Sequence, residues 1–560
     1  MIDPESIWRS DAYRHPTPWA TDFPPLTLTA MFEASAARHG DKPLIDFLGR
    51  HYSYAETLDG ARRVATGLAA LGYGPGDRIG LFLPNVPHYL AAYYGILLLG
   101  ATVVNFSPLY TVEELAHQVE DSGTRALFTL SAAALLPTAL KVLDGSSVER
   151  LIVGSVAGAL PATKSLFYRL FRGKEVTRRP DDPRIMAFSR LIANDGQGDR
   201  PAIDPLSRVA VIQYTGGTTG TPKGAMLTHQ NLSANARQVE GMDPDPGGED
   251  RIVGVLPLFH VFANTCVMNR TVANGGTIVM LPRFDGGQVL AAIERTRATA
   301  LPGVPTMYQA LLDHPKLATT DLSSLKYCVS GGAPLPAEVK ARFEAATGAR
   351  VIEGYGLSES SGVVSCNPYA GSGAIGSIGQ PIPATQVRLV DKEDPTRPPP
   401  AGEPGEIVVR GPQIMKGYWN RPDADAHVFV DGWLRTGDVG QIDADGFIRV
   451  VDRLKDMIAV SGFKVFPSQI EAVLYKHPAV KEALVIGVPD TYRGEQPRAY
   501  VTLVDGATDT PDALKSWLNG QLGHHERVDQ VVVRLTLPKT LVGKLSRKEL
   551  IEEVRAGGNI

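Results

Sequence analysis

At 560 residues, with 43% hydrophobic and 21% charged side chains, the chain has the make-up of a soluble globular protein, and its length predicts roughly three or four domain-sized units. A net charge of −4 argues against nucleic acid as an electrostatic partner, because no basic excess is present to displace phosphate counterions. Cys266, Cys328 and Cys366 are widely spaced and odd in number, so they offer neither a disulfide framework nor a zinc site and point to a reducing, cytoplasmic setting.

Asp3 and Glu5, with no apolar run behind them, argue against a secretory signal. A helical pattern from Leu58 to Leu71 is followed by a strand at Arg78 to Leu83, a helix at His88 to Leu99, a strand at Thr102 to Asn105 and a helix at Val112 to Asp121. Tyr89 to Val104 is the most membrane-like stretch. Gly95 and Gly100 break it, and it falls short of the roughly 18 to 20 residues a span needs, so it reads as a buried helix and a buried strand. The segment Lys164 to Arg179 sets Lys164, Arg169, Arg172, Lys174, Arg178 and Arg179 against a single acid, Glu175, with Phe167, Leu170 and Phe171 on one helical face. That suits either a basic amphipathic helix resting on an anionic membrane surface or a surface helix packing its aromatics on its own domain.

Val209 to Ile212 reads as a strand, Lys326 to Val329 and Arg350 to Glu353 as two more, and Pro336 to Ala346 as a helix. This alternation, from about Leu58 to Gly356, predicts an α/β arrangement of helices flanking mostly parallel sheets. From Ile378 to Val451 short runs broken by Gly and Pro predict a small β-barrel or sheet. After Asp452 the order changes again: helix Ser468 to Lys476, strands Val480 to Val488 and Arg498 to Leu503, helix Pro511 to Leu522 and strand Asp529 to Leu535. About 100 residues of this kind suit a compact α+β domain of its own.

Tyr214-Thr215-Gly216-Gly217-Thr218-Thr219-Gly220-Thr221-Pro222-Lys223-Gly224 makes little sense as packing. Glycines let backbone N–H groups approach an anion, hydroxyls add donors and Lys223 adds a compact positive charge, which together make a phosphate cradle. It is not a Walker A loop, since Pro222 precedes the lysine and Gly224 follows it. Further motifs follow in order: Ser330-Gly331-Gly332-Ala333-Pro334, Gly354-Tyr355-Gly356-Leu357-Ser358-Glu359, Thr436-Gly437-Asp438 within Asp431 to Gly440, Asp452-Arg453-Leu454-Lys455-Asp456 with Val460-Ser461-Gly462-Phe463-Lys464-Val465, and Pro538 to Arg547 around Lys544.

This set, in this order and over nearly the whole chain, resembles the acyl-adenylate-forming enzymes, and the Trp433 and Ser461 contexts resemble their fatty acyl-CoA synthetase branch. The resemblance implies two domains, 1–452 binding the nucleotide and 453–560 acting as a mobile lid, with a hinge near Asp452. The large domain would hold two helix-flanked sheets and a small β-barrel. It implies ATP, Mg²⁺ and coenzyme A. Thr215, Gly216, Gly217, Thr218, Thr219, Gly220 and Lys223 would take the β- and γ-phosphates, and Gly332, Ala333 and Pro334 would line the adenine. Tyr355 would stack on that ring, Ser358 would touch the α-phosphate and Glu359 would bind the metal. Asp438 and Arg453 would hold the ribose, Gly462 would let the pantetheine arm of CoA pass, and Lys544 would bridge carboxylate and α-phosphate.

Leu256 to Phe262 resembles the acyl-pocket segment, with His260 either near the carboxylate or a satisfied core histidine. No acid stands there to hold a substrate ammonium, which argues against a free amino acid. The implied reaction is adenylation of a medium- or long-chain fatty acid with release of pyrophosphate, then thioester formation. An aryl or dicarboxylic acid stays open, as do an acyl-AMP ligase loading a carrier protein and a catalytically dead adenylate sensor. Peripheral membrane contact and a homodimer also stay open.

Overall fold

The computed structural model describes residues 4–171, 175–215, 222–245, 250–371, 373–461, 463–490, 492–540 and 543–556. Parallel strands covered on both faces read as unbroken apolar runs, and the first sheet is built from such runs. Among the described residues it has eight strands. In spatial order they are Gly417–Tyr418, Gly224–Thr228, Val209–Tyr214, Thr102–Asn105, Arg78–Leu81, Ala126–Leu130, Arg150–Gly154 and Ile185–Ala187. The six from Val209–Tyr214 onward are parallel, and Gly224–Thr228 returns antiparallel to Val209–Tyr214 across the glycine-rich turn.

A second sheet runs Arg251–Gly254, Thr277–Met280, Pro43–Phe47 and Arg50–Ser53. Bridges through Ala300 and Gly303 join it to Tyr327–Ser330 and Arg350–Tyr355, so the motif strands lie on the same layer. The membrane-like stretch is the helix Pro87–Leu98 followed by the buried strand Thr102–Asn105. Three tyrosines make the helix a core element: Tyr89 donates to Asn105, Tyr93 to Asn264 and Tyr94 to Asn269, at 2.7, 3.2 and 2.8 Å. Among the described residues no helix is long and apolar enough to cross a membrane.

The helix expected from Leu58 begins earlier, at Tyr54. Ser53 accepts from the Glu56 N–H while Glu56 bonds back to the Ser53 N–H, a capping box that fixes the first turn. The region after Ile378 forms an open antiparallel sheet rather than a closed barrel. Gln386–Val390, Gly405–Arg410 and Trp433–Ile442 pair in turn, with Phe429–Val430 and Ile448–Arg453 along the far edge of Trp433–Ile442. The N-terminal helix Pro4–Trp8 packs against Gln386–Val390, and Gln386 donates to Glu5 at 2.8 Å, so that edge is covered rather than closed on itself.

The C-terminal domain carries Ile458–Val460, Phe463–Val465, Val480–Asp490, Gly494–Leu503 and Val531–Val533 in one sheet, packed against Pro467–Leu474 and Pro511–Asn519. The hairpin Ile458–Val465 and the terminal helix Arg547–Ala556 are additions to the elements expected there. In the basic segment a helix runs Ala162–Phe171, with Leu166 and Phe167 at 59% and 63% exposure, so these two are not buried in their own domain. Arg172 and Lys174 lie outside the described residues.

Helices Tyr54–Ala70 and Pro87–Leu98 cross so closely at Gly95 that a Cβ there would lie 2.6 Å from Val64 Cβ and 2.8 Å from the Ala61 carbonyl oxygen. Gly95→Val overpacks this crossing. A loss of about 2 kcal/mol is expected, read as a lower thermal midpoint of the large domain.

Candidate active site

Where the parallel strands end, their loops face the C-terminal domain, and between the two lies a cavity of about 2930 Å³. The strand-end position is the usual place for a ligand in an open α/β sheet. Every described candidate residue lines this cavity. Gly216, Gly217, Thr218, Thr219, Gly220 and Gly462 lie outside the described residues. Thr215 and Lys223, which flank the glycine-rich turn, are joined by a Thr215 N–H to Lys223 carbonyl bond of 2.9 Å.

Asp438 sits mid-strand in Trp433–Ile442, opposite Arg453 in the antiparallel register. Its side chain is buried. The Tyr355 hydroxyl donates to Oδ2 at 2.5 Å, and Arg453 Nε lies 3.0 Å from Oδ1. Burial, reinforced by the Asp438 charge, pushes the Tyr355 phenol far up, so it stays a donor. A carboxylate has about four lone-pair sites, so this one can still accept from a diol.

Glu359 lies in the short turn Ser358–Ser360 after the strand Arg350–Tyr355. Tyr418 donates to its Oε1 at 2.7 Å, and Lys223 Nζ sits 5.2 Å over the same tyrosine ring. One side chain thus spaces a cation from a carboxylate. Among the described residues no group of three or more His, Cys, Asp or Glu could hold a metal ion. A lone half-buried carboxylate with one oxygen bonded fits Mg²⁺, which keeps waters and takes its remaining oxygens from phosphates.

Lys544 reaches this cavity from the C-terminal domain. Its loop is tied by a Thr540 N–H to Lys544 carbonyl bond of 2.7 Å and reaches across to Thr306, whose hydroxyl donates to the Gly543 carbonyl at 3.0 Å. The ε-carbon rests on Gly332, where φ is +82° and a Cβ would lie 2.2 Å from Cε and 2.5 Å from Nζ. Burial, helped by the Arg453 charge, lowers the Lys544 ammonium to about 8. Burial and then Lys544 lower His260 to about 3, so the imidazole is neutral. Its Nδ1 accepts the Phe262 N–H at 3.2 Å, which leaves the proton on Nε2 as a donor.

Three functional candidates escaped the sequence reading. Tyr418 stands in an unremarkable Gly-Tyr-Trp, and only the pairing of Gly417–Tyr418 with Gly224–Thr228 brings it beneath Lys223. Glu353 lines the cavity with its carboxyl pushed up to about 7 by burial. Arg547, three residues past Lys544, contacts Glu471 at 2.6 Å, Asp456 at 3.3 Å and Asp452 at 4.0 Å, and donates to Ser468 at 3.0 Å. It therefore clamps the lysine loop to the domain boundary. The one signal available for it was its place at the end of the Lys544 motif.

Because Gly332 is where Lys544 lies, Gly332→Ala displaces the ammonium by about an ångström. Pyrophosphate release is expected to fall on the order of 10²-fold, with a modest drop in thermal midpoint because alanine at this left-handed φ is strained, as measured by coupled phosphate release and by melting.

The comparisons with known proteins agree over the whole length. The model of the AMP-binding enzyme family matches residues 32–419, and that of the AMP-binding enzyme C-terminal domain matches 469–544. The chain is 41% identical to a long-chain-fatty-acid–CoA ligase of Bacillus subtilis (strain 168), over 96% of this chain and 98% of that one. It is 38% identical to a feruloyl-CoA synthase of Amycolatopsis sp, over 92% and 95%. ATP-bound MatB from Rhodopseudomonas palustris superposes with a TM-score of 0.82 at 28% identity, covering 95% of this chain and 99% of that one. The anthranilate CoA ligase AuaEII with anthranoyl-AMP gives 0.85 at 25% identity, covering 97% and 100%. The two family models between them span both the nucleotide loop and the lysine loop that meet in the cavity, and the chain belongs to the AMP-binding enzyme family.

Proposed function

We propose that this chain is an ATP-dependent, AMP-forming acid–thiol ligase that joins long-chain fatty acids to coenzyme A. The observation that carries the reading is the approach of Lys544 to Gly332, beside neutral His260 and a half-exposed Arg453, in a cavity that Phe262, Cys266 and Val363 also line. The long-chain-fatty-acid–CoA ligase relative supports the choice of acid.

Two anions must meet before a carboxylate can attack the α-phosphorus of ATP. In this reading Lys544 offsets their charge as the new acyl–phosphate bond forms and the bond to pyrophosphate breaks. Lys223 holds the leaving phosphates, Ser358 faces the α-phosphate, and Tyr355 and Asp438 orient adenine and ribose. His260 Nε2–H points its proton toward the carboxylate and takes no charge. Mg²⁺, held by Glu359 and phosphate oxygens, would neutralise phosphate charge; Tyr418 fixes the rotamer of that carboxylate.

The second step needs a different arrangement, because Lys544 fills the approach to the adenylate. We place the domain boundary at 452/453, with residues 453–560 turning about Asp452. That carboxylate accepts the Ser468 N–H at 2.8 Å and its neighbour Arg453 N–H at 2.7 Å, which makes the hinge a bonded corner rather than a slack linker. Rotation withdraws Lys544 and opens the acyl carbon to the CoA thiol. The thioester forms as the bond to AMP breaks, with release of a proton. Lids that exchange one active constellation for another are an established use of such motion.

Lys544→Ala is expected to lower pyrophosphate release with laurate about 10²- to 10³-fold and to leave thioester formation from supplied lauroyl-AMP nearly intact. Equal loss in both assays would overturn the assignment. The charged ammonium is the working form, and burial lowers it to about 8, so the adenylation rate should fall as pH rises through that value. Transfer from supplied adenylate should show no such fall.

Exposed Leu166 and Phe167 beside Lys164 support peripheral attachment of the helix Ala162–Phe171 to an anionic membrane. Co-sedimentation with vesicles containing phosphatidylglycerol should drop several-fold for a Leu166→Asp, Phe167→Asp double variant. Unchanged sedimentation would remove the membrane from the picture.

A further inference from the structure

The apolar branch of the cavity follows one helix face. Phe262, Cys266 and Arg270 are spaced four apart, all three line the cavity, and the intervening turn Asn264–Asn269 is the wide, five-residue kind that keeps an i, i+4 row in line. Phe262 lies at the reacting end, against Gly331, where a Cβ would touch its ring at 3.1 Å. Cys266 shares an apolar cluster with Val239, Met242, Val363, Cys366 and Tyr369, and these residues also line the branch.

At the far end the lining changes character. Arg270 is buried, and its guanidinium contacts Asp243 at 2.6 Å, Asp250 at 2.9 Å and Glu240 at 3.1 Å. Asn274 donates to both Asp250 and Glu240. Asp243, Asp250 and Arg270 border the cavity. The group is ion-paired within itself, although Arg270 Nε, 3.1 Å from Glu240, makes no well-formed hydrogen bond. Further methylenes could enter only by separating buried ion pairs, which is strongly unfavourable.

Building on the acid–CoA ligase reading, we infer that the Arg270–Asp243–Asp250–Glu240 cluster is the end wall of the acyl branch and sets the chain length of the acid. Eight residues from Phe262 to Arg270 rise at most about 12 Å at about 1.5 Å each, and less across the wide turn Asn264–Asn269. An extended alkyl chain, with bonds of about 1.5 Å at about 111°, advances about 1.25 Å per carbon, so about eight to ten carbons fit this span. With the carboxyl end beside His260, the best acid has about ten to twelve carbons. One guanidinium facing three carboxylates also leaves the wall net negative, which repels a second carboxylate at the ω end.

The test is a kcat/KM profile for thioester formation by the full chain with ATP, Mg²⁺ and CoA across saturated acids from C6 to C18, together with dodecanedioate. The profile should peak between C10 and C12 and fall at least about tenfold by C18, and dodecanedioate should lie at least about tenfold below laurate. Cys266→Trp, which blocks the branch about 6 Å past Phe262, should move the peak down by about four or five carbons. The unsubstituted chain's profile stands by itself should that variant not fold. Thioester formed equally well from C12 to C18, a peak unmoved in folded Cys266→Trp, or dodecanedioate used as well as laurate would each overturn the end wall. Thioester from no acid at all would overturn the functional reading and this inference with it.

Discussion

The Asp438 carboxylate is the point on which the site turns. It is a buried charge, and burying one without partners costs so much that the group would otherwise neutralise itself. Tyr355, at the end of a strand of the second sheet, and Arg453, across the hairpin in the antiparallel sheet, supply those partners. Satisfying one carboxylate therefore helps dock the strand Arg350–Tyr355 against Trp433–Ile442, alongside the backbone bridge of Gly379 to Ile448 that also joins the two layers. Asp452, the next residue back from Arg453, is itself buried and bonded to the first turn of Pro467–Leu474. The same short stretch thus holds the proposed ribose contact and the proposed hinge.

Charge is handled along the cavity partly by spacing and partly by direct pairing. Lys223 and Glu359 lie on opposite parts of Tyr418, one over its ring and the other at its hydroxyl, so neither quenches the other. Arg453 is taken by Asp438, and Arg547 by Glu471 and Asp456. Lys544 is different: it is half-buried near Arg453, and desolvation lowers its ammonium to about 8. A cation held where it is uncomfortable gains most from an arriving pair of anions, and that is the property an adenylating lysine needs.

The clamp by Arg547 gives the small domain a second function beyond carrying the lysine. Because Arg547 binds Glu471, Asp456 and Ser468 at once, the chain three residues past Lys544 is fixed to the start of its own domain. Opposite it, apart from the bonds at the proposed hinge through Asp452 and Arg453, the bonds that reach the large domain among the described residues are peripheral: Thr306 to the Gly543 carbonyl, the Lys481–Asp313 pair at 3.7 Å and the Lys464–Glu393 pair at 3.3 Å. Exposed pairs of this kind are worth roughly 0 to 1 kcal/mol each, so they can be exchanged for another set at little cost. Stiffness within the lid and weakness across the cleft are what a swinging domain requires.

Much of this was legible in the residues themselves. Apolar runs such as Val209 to Ile212 announced buried parallel strands, and Gly and Pro punctuation marked the change of architecture after Ile378, because backbone conformation is set by neighbours in the chain. The order of the motifs was likewise enough to place Lys544 and Asp438 in one expected site. Tertiary structure alone decided that Gly417–Tyr418 lies beside Gly224–Thr228, that Tyr355 bonds Asp438, that Gly332 makes room for Lys544 and that the sheet after Ile378 stays open with its edge under the N-terminal helix. It alone also put Arg270 among three acids at the end of an apolar branch, since a guanidinium twenty to thirty residues from its partners leaves no periodic trace. The division follows from the physics: propensity, capping and phosphate-binding loops act over a few residues, whereas the partners of a buried charge are fixed only when distant segments pack.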